Sequence, residues 1–505
     1  MKKYGLKVFL QKILIKISWF FKAYDTRYNR WFHENVLCEA ELELQRSFPF
    51  CTRPLISIVV PAYNTPHAYL VELIHSVLSQ TYSNWELCIA DGNSTDPLVR
   101  ETLLAFAAQD SRIRPILLET NSGVSANTNE AIAASHGEII VFSDHDDLLS
   151  PDALFEIVNT FLNTDADYVY SDEDKVDERS AFFFTPNLKP TFSPEYLCCT
   201  NYICHLSAIK KEKLLQIGFL DPRYDGSQDH DLALRAMEHH LQFVHVPKVL
   251  YHWRSFRNSL SNANNDKCRF AARDAIQAYL DRQSIPAKVI EQHTGNRICY
   301  DIIGNPLVSV IVLGSNYSPD SLPVDYPNVE FCSSVSEAAG AYIAFIHSDL
   351  IPDAGWLEEL LMIAQQDGVG AVGGSVFRQD GRVLFRGLYF FDGKVQYAFS
   401  GAREYDPCYL GKAHCVHNVS AVDGCFCLAH REEYLQYLSS GNKNDFVSFC
   451  LFLIKKGKRV VYTPYTTARL KKGSMFSGFS IGKEYILPFP EDPYYNRDLK
   501  TLGYY

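Results

Sequence analysis

Residues 137–158 read GEIIVFSDHDDLLSPDALFEIV. The apolar, β-branched run Ile139–Phe142 is too short for a helix and reads as a buried strand. Ser150 and Pro151 then open a helix, the serine as its N-cap and the proline at its first helical position. Between the two elements Asp144, Asp146 and Asp147 fall within four positions. Carboxylates this close repel and raise one another's pKa. One Asp at a strand–helix junction is ordinary capping; three, with His145 among them, predict a divalent cation. Mg2+ or Mn2+ suits such a cluster, because these hard ions take one or two carboxylates plus the phosphate oxygens of a substrate. A metal there would neutralise a leaving diphosphate.

Upstream the same rhythm repeats. PLISIVV (54–60) is a buried strand ended by PAYN, and HAYLVELIHSVLSQT has helical spacing. NWELCIA is a second strand ended by DGNSTD; PLVRETLLAFAAQ is helical, RIRPILLE strand-like, and SANTNEAIAASHG a helix closed by Gly137. Strand–helix alternation of this kind predicts an open α/β sheet with right-handed crossovers, its ligands lying beyond the carboxyl ends of the strands. Asp91 and the Asp144 cluster both fall at such ends. Asp91 can accept from a nucleobase or ribose, or can close an Asx-turn on its own backbone. Further along, GSQDHDLALR starts a helix near Asp229, and a carboxylate at a helix N-terminus is favoured in its ionised form. Such a group facing a substrate can serve as a general base; Ser227 and Asp231 compete with it as simple caps. His252 and Arg254 in LYHWRS follow an apolar run, the histidine as a metal ligand, a diphosphate contact or a core-edge residue. YSDEDK (Asp172, Glu173, Asp174) is another acidic strand end, able to position acceptor hydroxyls or to be a solvated loop.

These strings, together with NSGVSANTNEAI, LKPTFSPEYL and NYICHLSAIKKEKL, occur in the family's own order over residues 55 to about 260 and resemble the family 2 glycosyltransferases. The similarity is to bacterial enzymes of surface-polysaccharide and O-antigen assembly, including rhamnosyltransferase-like ones. It implies a GT-A fold, a nucleotide-diphospho-sugar transferase with a Rossmann-like sheet. It implies that Pro61, Ala62, Tyr63 and Asn64 line the nucleotide pocket and that Asp91 holds the base. Asp144 and Asp146 become the DxD pair, Asp146 the direct metal ligand and Asp147 a neighbour of the donor sugar. Asp229 becomes the catalytic base, Asp144, Asp146 and His252 the metal set, and Asp172, Glu173 and Gln228 acceptor contacts. Gln228 stands where the family often has Glu. The implied reaction uses a dTDP- or UDP-sugar, a Mn2+ or Mg2+ ion and a glycan or lipid-linked glycan acceptor, in one inverting displacement.

A second half begins near residue 306. PLVSVIVLGSNYS echoes PLISIVVPAYNTP, AAGAYIAFIHSDLIPDAGWLEELL echoes the opening stretch, and GKRVVYTPYTTARL loosely echoes LQFVHVPKVLYHWR. The copy is shorter by roughly a strand with its flanking helices, and DGNSTD has no counterpart. His347 replaces Asp144 while Asp349 persists; Asp445 keeps the base position, and the counterpart of His252 falls near Leu470. The expected organisation is an N-terminal basic segment (1–50), a catalytic GT-A domain (51–300), a degenerate, shortened GT-A-like domain (301–472) that binds acceptor or braces the first, and an aromatic, Pro-rich tail (473–505).

Composition narrows the alternatives. A net charge of −11 argues against a nucleic-acid binder. The 14 cysteines show no paired zinc spacing and read as reduced thiols. Residues 1–30 carry eight Lys or Arg against the single Asp25, interleaved with apolar and aromatic residues. A membrane span needs about 20 nearly uncharged residues, so this segment predicts a helix on an anionic membrane surface, or one packed on the protein itself. The expected location is the cytoplasm, peripheral at the inner face of the cell membrane. A processive synthase would show membrane helices and a QxxRW-type motif, and a nucleotidyltransferase a Gly-rich basic loop after the first strand. A carbohydrate-binding scaffold derived from a transferase is the remaining alternative; the complete set Asp91, Asp144, Asp146 and Asp229 argues against it.

Overall fold

A computed structural model describes residues 26–255, 266–292, 294–314, 322–441, 445–480 and 482–504. The basic stretch 1–25 lies outside them. The chain divides into two units, one formed by residues 1–192 and 201–279 and the other by 193–200 and 280–505.

The first unit contains α1 (Thr26–Asn35), α2 (Glu39–Arg46), β1 (Ile56–Ala62), α3 (His67–Leu78), β2 (Trp85–Asp91), α4 (Pro97–Gln109), β3 (Ile113–Leu117), α5 (Val124–Ala134), β4 (Ile139–Phe142), β5 (Leu148–Leu149), α6 (Ala153–Asn163), β6 (Tyr168–Val176) and β7 (Phe183–Asn187). After α7 (Pro194–Cys199), which belongs to the second unit, come β8 (Ser207–Lys210), α8 (Lys211–Ile217), α9 (Gln228–Glu238), β9 (Phe243–Arg254) and α10 (Asp266–Arg282). The sheet has nine strands in the order β3-β2-β1-β4-β8-β6-β9-β5, with β7 on β6. Strands β3, β2, β1 and β4 are mutually parallel; β8 runs antiparallel between β4 and β6. Every residue of β1 and β2 is buried, so these strands show continuous apolar runs rather than alternation. Helix α6 buries Leu154, Phe155, Ile157, Val158 and Phe161 against this sheet.

Two local expectations change. Helix α5 ends at Ala134, and Gly137 is not its cap but a close approach to β1: a Cβ there would lie 2.6 Å from Ser57 N and 2.7 Å from Leu55 O. Ser150 does not cap α6 directly; its hydroxyl donates to Asp152, the residue at the cap position. Helix α1 packs through Tyr28 and Phe32, Phe32 stacking on Phe183 of β7 at 4.0 Å. Helix α1 thus packs on the first unit, while the lysine-interleaved run for which the sequence left membrane or protein contact open lies outside the described residues. No helix among the described residues is long and apolar enough to cross a membrane.

The second unit carries β10 (Ala287–Gln292), β11 (Gly295–Tyr300), β12 (Val308–Leu313), β13 (Val329–Cys332), β14 (Tyr342–His347), β15 (Leu350–Pro352), α11 (Trp356–Ala364), β16 (Val369–Phe377), β17 (Val383–Arg386), β18 (Leu388–Phe391), β19 (Lys394–Tyr397), β20 (His417–Asn418), β21 (Phe426–His430), α12 (Arg431–Ser439), α13 (Phe446–Lys455) and β22 (Arg459–Leu470). Its main sheet runs β13-β12-β14-β21-β16-β22-β15. That is the first unit's order with the β3 position deleted, so the repeat is one of topology. It extends to single hydrogen bonds. Ser57 Oγ donates to Glu86 Oε1 at 2.6 Å, and Gly137 N donates to Ser57 Oγ at 2.8 Å. Ser309 Oγ likewise donates to Glu330 Oε1 at 2.5 Å, and Gly340 N to Ser309 Oγ at 2.8 Å. A Cβ on Gly340 would meet Leu307 O at 2.6 Å and Ser309 N at 2.7 Å. The obstructing atoms are backbone and cannot swing away. Gly137→Ala is therefore expected to lower the urea midpoint of the first unit by the equivalent of about 1–3 kcal/mol, the usual cost of overpacking. An unchanged midpoint would show that β1 shifts freely.

Candidate active site

A cavity of about 900 Å3 opens in the first unit at the carboxyl ends of β1 and β4. Pro61, Ala62 and Tyr63 enter it from β1, Asp144, His145 and Asp146 from the loop after β4, and Cys204 and His205 from the loop before β8. Gln228 and Asp229 come from the start of α9, Trp253 from β9, and Lys267 and Arg269 from the first turn of α10.

The acidic loop is held from below by β9. Asp147 is fully buried; one oxygen accepts from Tyr251 Oη at 2.7 Å and the other from Arg254 N at 2.7 Å. Burial, then the charges of Asp146 and Asp144, push its carboxyl well above the usual range. Asp147 thus anchors the loop and does not line the cavity, whereas Asp146 does. Burial and the neighbouring Asp144 charge raise Asp146 as well. Asp144 Oδ2 stands 3.5 Å from His205 Nε2. Ligand atoms of Asp144, Asp147 and His205 lie within 4.8 Å of one another. The His205 ring stacks on Tyr251 at 4.6 Å, and its buried Nδ1 has no partner among the described residues. Carboxylates crowded beside an imidazole nitrogen are a donor set that fits a divalent cation.

Asp229 is the second residue of α9. Its Oδ2 accepts from Asn201 Nδ2 at 2.7 Å and from Cys204 Sγ at 3.0 Å. Burial, reinforced by the charges of Asp229 and Glu173, keeps the Cys204 thiol well above its ordinary pKa, so it remains an S–H donor. Gln228 turns back to accept from Gly226 N at 2.8 Å. Gly226 has φ +97° and sits against Cys268, where a Cβ would lie 2.7 Å from Sγ; Ser227 Oγ donates to Cys268 O at 2.9 Å. The loop before α9 is thereby seated on α10. On its other side Asp225 accepts from Ser125 N at 3.2 Å and from Ser125 Oγ at 2.5 Å, capping α5 from a distant loop.

The remaining sequence candidates divide. Asp91 Oδ1 accepts from Ser94 Oγ at 2.5 Å, the Asx-type turn, and Asn64 (φ +50°) accepts from Thr95 N at 2.8 Å; neither side chain lines the cavity. His252 is not brought to the acidic loop. Its Nδ1 bonds Asp174 Oδ1 at 2.7 Å, and its ring packs edge-on to Phe32 at 5.2 Å and against Phe183 at 4.8 Å. Tyr28 Oη completes that node by donating to Asp174 Oδ2 at 2.7 Å, so these residues dock helix α1. Asp172 and Glu173 are buried on β6, between β7 and β9, and do not line the cavity. Asp172 accepts from Lys189 N at 2.7 Å and pairs with His245 at 2.7 Å; Glu173 accepts from Asn187 Nδ2 at 2.9 Å and His205 N at 3.1 Å. Asn201, Cys204 and His205 are the site residues that pattern reading did not single out, although all three lie in the quoted string NYICHLSAIKKEKL.

In the second unit the matching positions are covered by its own tail. Phe476 stacks on His347 at 3.9 Å, Ser474 Oγ donates to Asp349 Oδ2 at 2.8 Å, and Tyr485 Oη donates to Asp445 Oδ1 at 3.2 Å. Asp445 also caps α13 through Ser448 N at 3.0 Å. Arg469 pairs with Ile351 as His252 pairs with Leu148, so the histidine position in the closing strand is an arginine.

The family model described as "Glycosyl transferase family 2" matches residues 57–218, which apart from 193–200 lie in the first unit, and 334–436 in the second. The chain is 32% identical over 482 residues to the uncharacterized protein y4gI of Sinorhizobium fredii, covering 82% of this chain and 52% of that protein. It is 32% identical over 392 residues to the O-antigen biosynthesis protein RfbC of Myxococcus xanthus, covering 66% of this chain and 30% of RfbC. Over 126 residues it is 33% identical to the Escherichia coli UDP-Glc:alpha-D-GlcNAc-diphosphoundecaprenol beta-1,3-glucosyltransferase WfgD, covering 25% of this chain and 48% of WfgD. The chain thus spans about half the length of y4gI and under a third of RfbC.

Proposed function

The chain belongs to glycosyltransferase family 2, and on that premise we propose that its first unit moves a sugar from a nucleotide-diphosphate donor to a hydroxyl of a glycan or lipid-linked glycan in cell-surface polysaccharide synthesis. The observation that carries this reading is that Asp229 and the acidic pair Asp144 and Asp146 line one cavity of about 900 Å3, a volume within the range that takes a nucleotide-sugar. Asp229 is the general base: it removes the proton from the acceptor hydroxyl as that oxygen attacks the anomeric carbon. The nucleotide diphosphate leaves from the opposite face, so configuration inverts. The geometry is that of inverting glycoside hydrolysis, where the base stands opposite the departing group.

Asp144, Asp146 and His205 would hold Mn2+ or Mg2+, with Asp147 fixing the loop that carries the two aspartates. A bound cation supplies positive charge at the diphosphate. Pro61, Ala62 and Tyr63 receive the nucleotide, and the Asn64–Asp91 turn borders it. Gln228 borders the acceptor. Transfer is assigned to the first unit alone, because in the second unit tail residues sit on the described positions that match Asp144, Asp146 and the base. The names of RfbC and WfgD, an O-antigen protein and an enzyme using UDP-Glc with a diphosphoundecaprenol-linked sugar, support the pathway class and the donor class. The setting that goes with such acceptors is the cytoplasmic membrane face, reached through the basic N-terminal segment.

The test is donor turnover by the full chain against a panel of dTDP- and UDP-sugars, with Mn2+ or Mg2+, with EDTA, and with Asp146→Ala. The expected result is metal-dependent release of one nucleoside diphosphate, lost with EDTA and in the variant. Silence across the panel, with no nucleotide binding by calorimetry, would replace this reading with a carbohydrate-binding scaffold.

A further inference from the structure

Asp229 receives both of its described hydrogen bonds on one oxygen. Asn201 Nδ2 and Cys204 Sγ each reach Oδ2, at 2.7 and 3.0 Å, and both come from the loop between α7 and β8. The amide of Asn201 is turned at a cost: its buried Oδ1 has no partner among the described residues. An unpaired buried acceptor is destabilising, so an orientation that leaves one is held by something stronger. A charged acceptor at 2.7 Å is that something.

The loop bearing these donors is itself fixed from beneath. Lys189, whose side chain is fully buried, donates through Nζ to Ile203 O at 2.9 Å and to His205 O. His205 N donates to Glu173 Oε2 at 3.1 Å, and Leu206 N to Ser171 Oγ at 3.3 Å. Asp172 in turn holds Lys189 N at 2.7 Å. The acidic run on β6 is thus the footing of the loop. The same loop puts His205 beside Asp144. One short segment therefore touches both the acidic cluster and Asp229.

We propose that Asn201 and Cys204 are positioning residues that lock Oδ2 of Asp229 and leave Oδ1 as the oxygen that takes the acceptor proton. This rests on the proposed transferase reading and deepens it. The proton passes from the acceptor hydroxyl to Oδ1 while the new glycosidic bond forms and the bond to the diphosphate oxygen breaks. Neither positioning residue gains or loses a proton. Without them the carboxylate can rotate about its Cβ–Cγ bond and present either oxygen at the wrong angle, which lowers turnover and leaves donor binding alone.

The experiment compares wild type, Cys204→Ala, Cys204→Ser, Asn201→Ala and the double alanine variant, measuring kcat and the donor KM for transfer and the unfolding midpoint of each. Each alanine variant is expected to lose about 10–100-fold in kcat, the equivalent of one hydrogen bond to a charged group, with donor KM unchanged. Cys204→Ser keeps a donor of similar size and is expected to recover most of that loss. The double variant is expected to lose less than the product of the singles, because both act on one oxygen. Alanine variants that keep wild-type kcat, or a serine variant no better than alanine, would overturn the proposal while leaving the transferase reading intact. A wild-type chain that transfers no sugar from any donor overturns both. If Asn201→Ala does not fold, the Cys204 pair of variants decides alone.

Discussion

Asp229→Asn is expected to lower kcat for sugar transfer by about 10²–10⁴-fold, the usual contribution of a positioned general base. The substitution is nearly isosteric. Asn201 and Cys204 can still donate to the amide oxygen, and α9 loses only a charge at its second residue. The fold should therefore survive, which far-UV circular dichroism and the unfolding midpoint check. Donor binding should also survive, because Asp229 comes from α9 and the acidic pair from the loop after β4. A fall in kcat with donor KM unchanged is the signature of a group that acts in the transition state. A proportionate rise in KM with kcat intact would make Asp229 a binding residue and remove the base from the mechanism. The corresponding Asp445→Asn should leave transfer unchanged, since that carboxylate caps α13 and is covered by Tyr485.

Much of this was legible in the sequence because the informative residues are local. The buried strands β1, β2 and β4 are continuous apolar runs, and each ends at its own polar signal, so the parallel half of the sheet and the Asp144 loop can be read directly. The shortened second unit was legible for the same reason, as aligned strand starts. What was not legible is non-local. His205 reaches Asp144 because β8 pairs antiparallel with β4, Ser207 opposite Phe142, and no periodicity announces that pairing. His252 sits near in the same sheet but points to the other side of the problem, into the node with Asp174 and Tyr28 that docks α1. The run Asp172–Asp174 reads from sequence as an acidic strand end, facing acceptor hydroxyls or solvent, and is neither. This part of β6 is flanked by β7 and β9, and its carboxylates are buried, each bonded to a partner. An acidic stretch read without its neighbouring strands cannot distinguish those two environments.

Arg254→Met is expected to destabilise the first unit on the order of 3 kcal/mol and to weaken Mn2+ binding by about 10–100-fold, although Arg254 does not line the cavity. The guanidinium is fully buried and stacks over Tyr69 at 4.3 Å. It donates to Asp146 O, Ser180 Oγ and Glu72 Oε2, each at 2.7 Å. Its backbone N–H bonds Asp147 and persists in the variant, as does Tyr251 Oη, so Asp147 keeps both of its anchors. What the variant loses is the grip on the peptide carbonyl between Asp146 and Asp147, the joint that aims Asp146 into the cavity. Methionine fills part of the volume with an apolar chain, leaving that carbonyl and Ser180 without their donor. Glu72 is partly exposed and can be hydrated, which keeps the penalty below that of a fully buried broken ion pair. Arg254→Lys separates charge from shape: one ammonium cannot reach three acceptors arranged for a planar fork, so its stability should fall between the other two. Calorimetric Mn2+ titration and urea unfolding, run on all three proteins, decide the matter. If Arg254→Met unfolds earlier yet binds Mn2+ as the wild type does, the arginine stabilises the sheet edge and the Asp146 turn is held by Asp147 and Tyr251 alone. If metal affinity falls with stability, the fork of Arg254 is what presents Asp146 to the donor diphosphate.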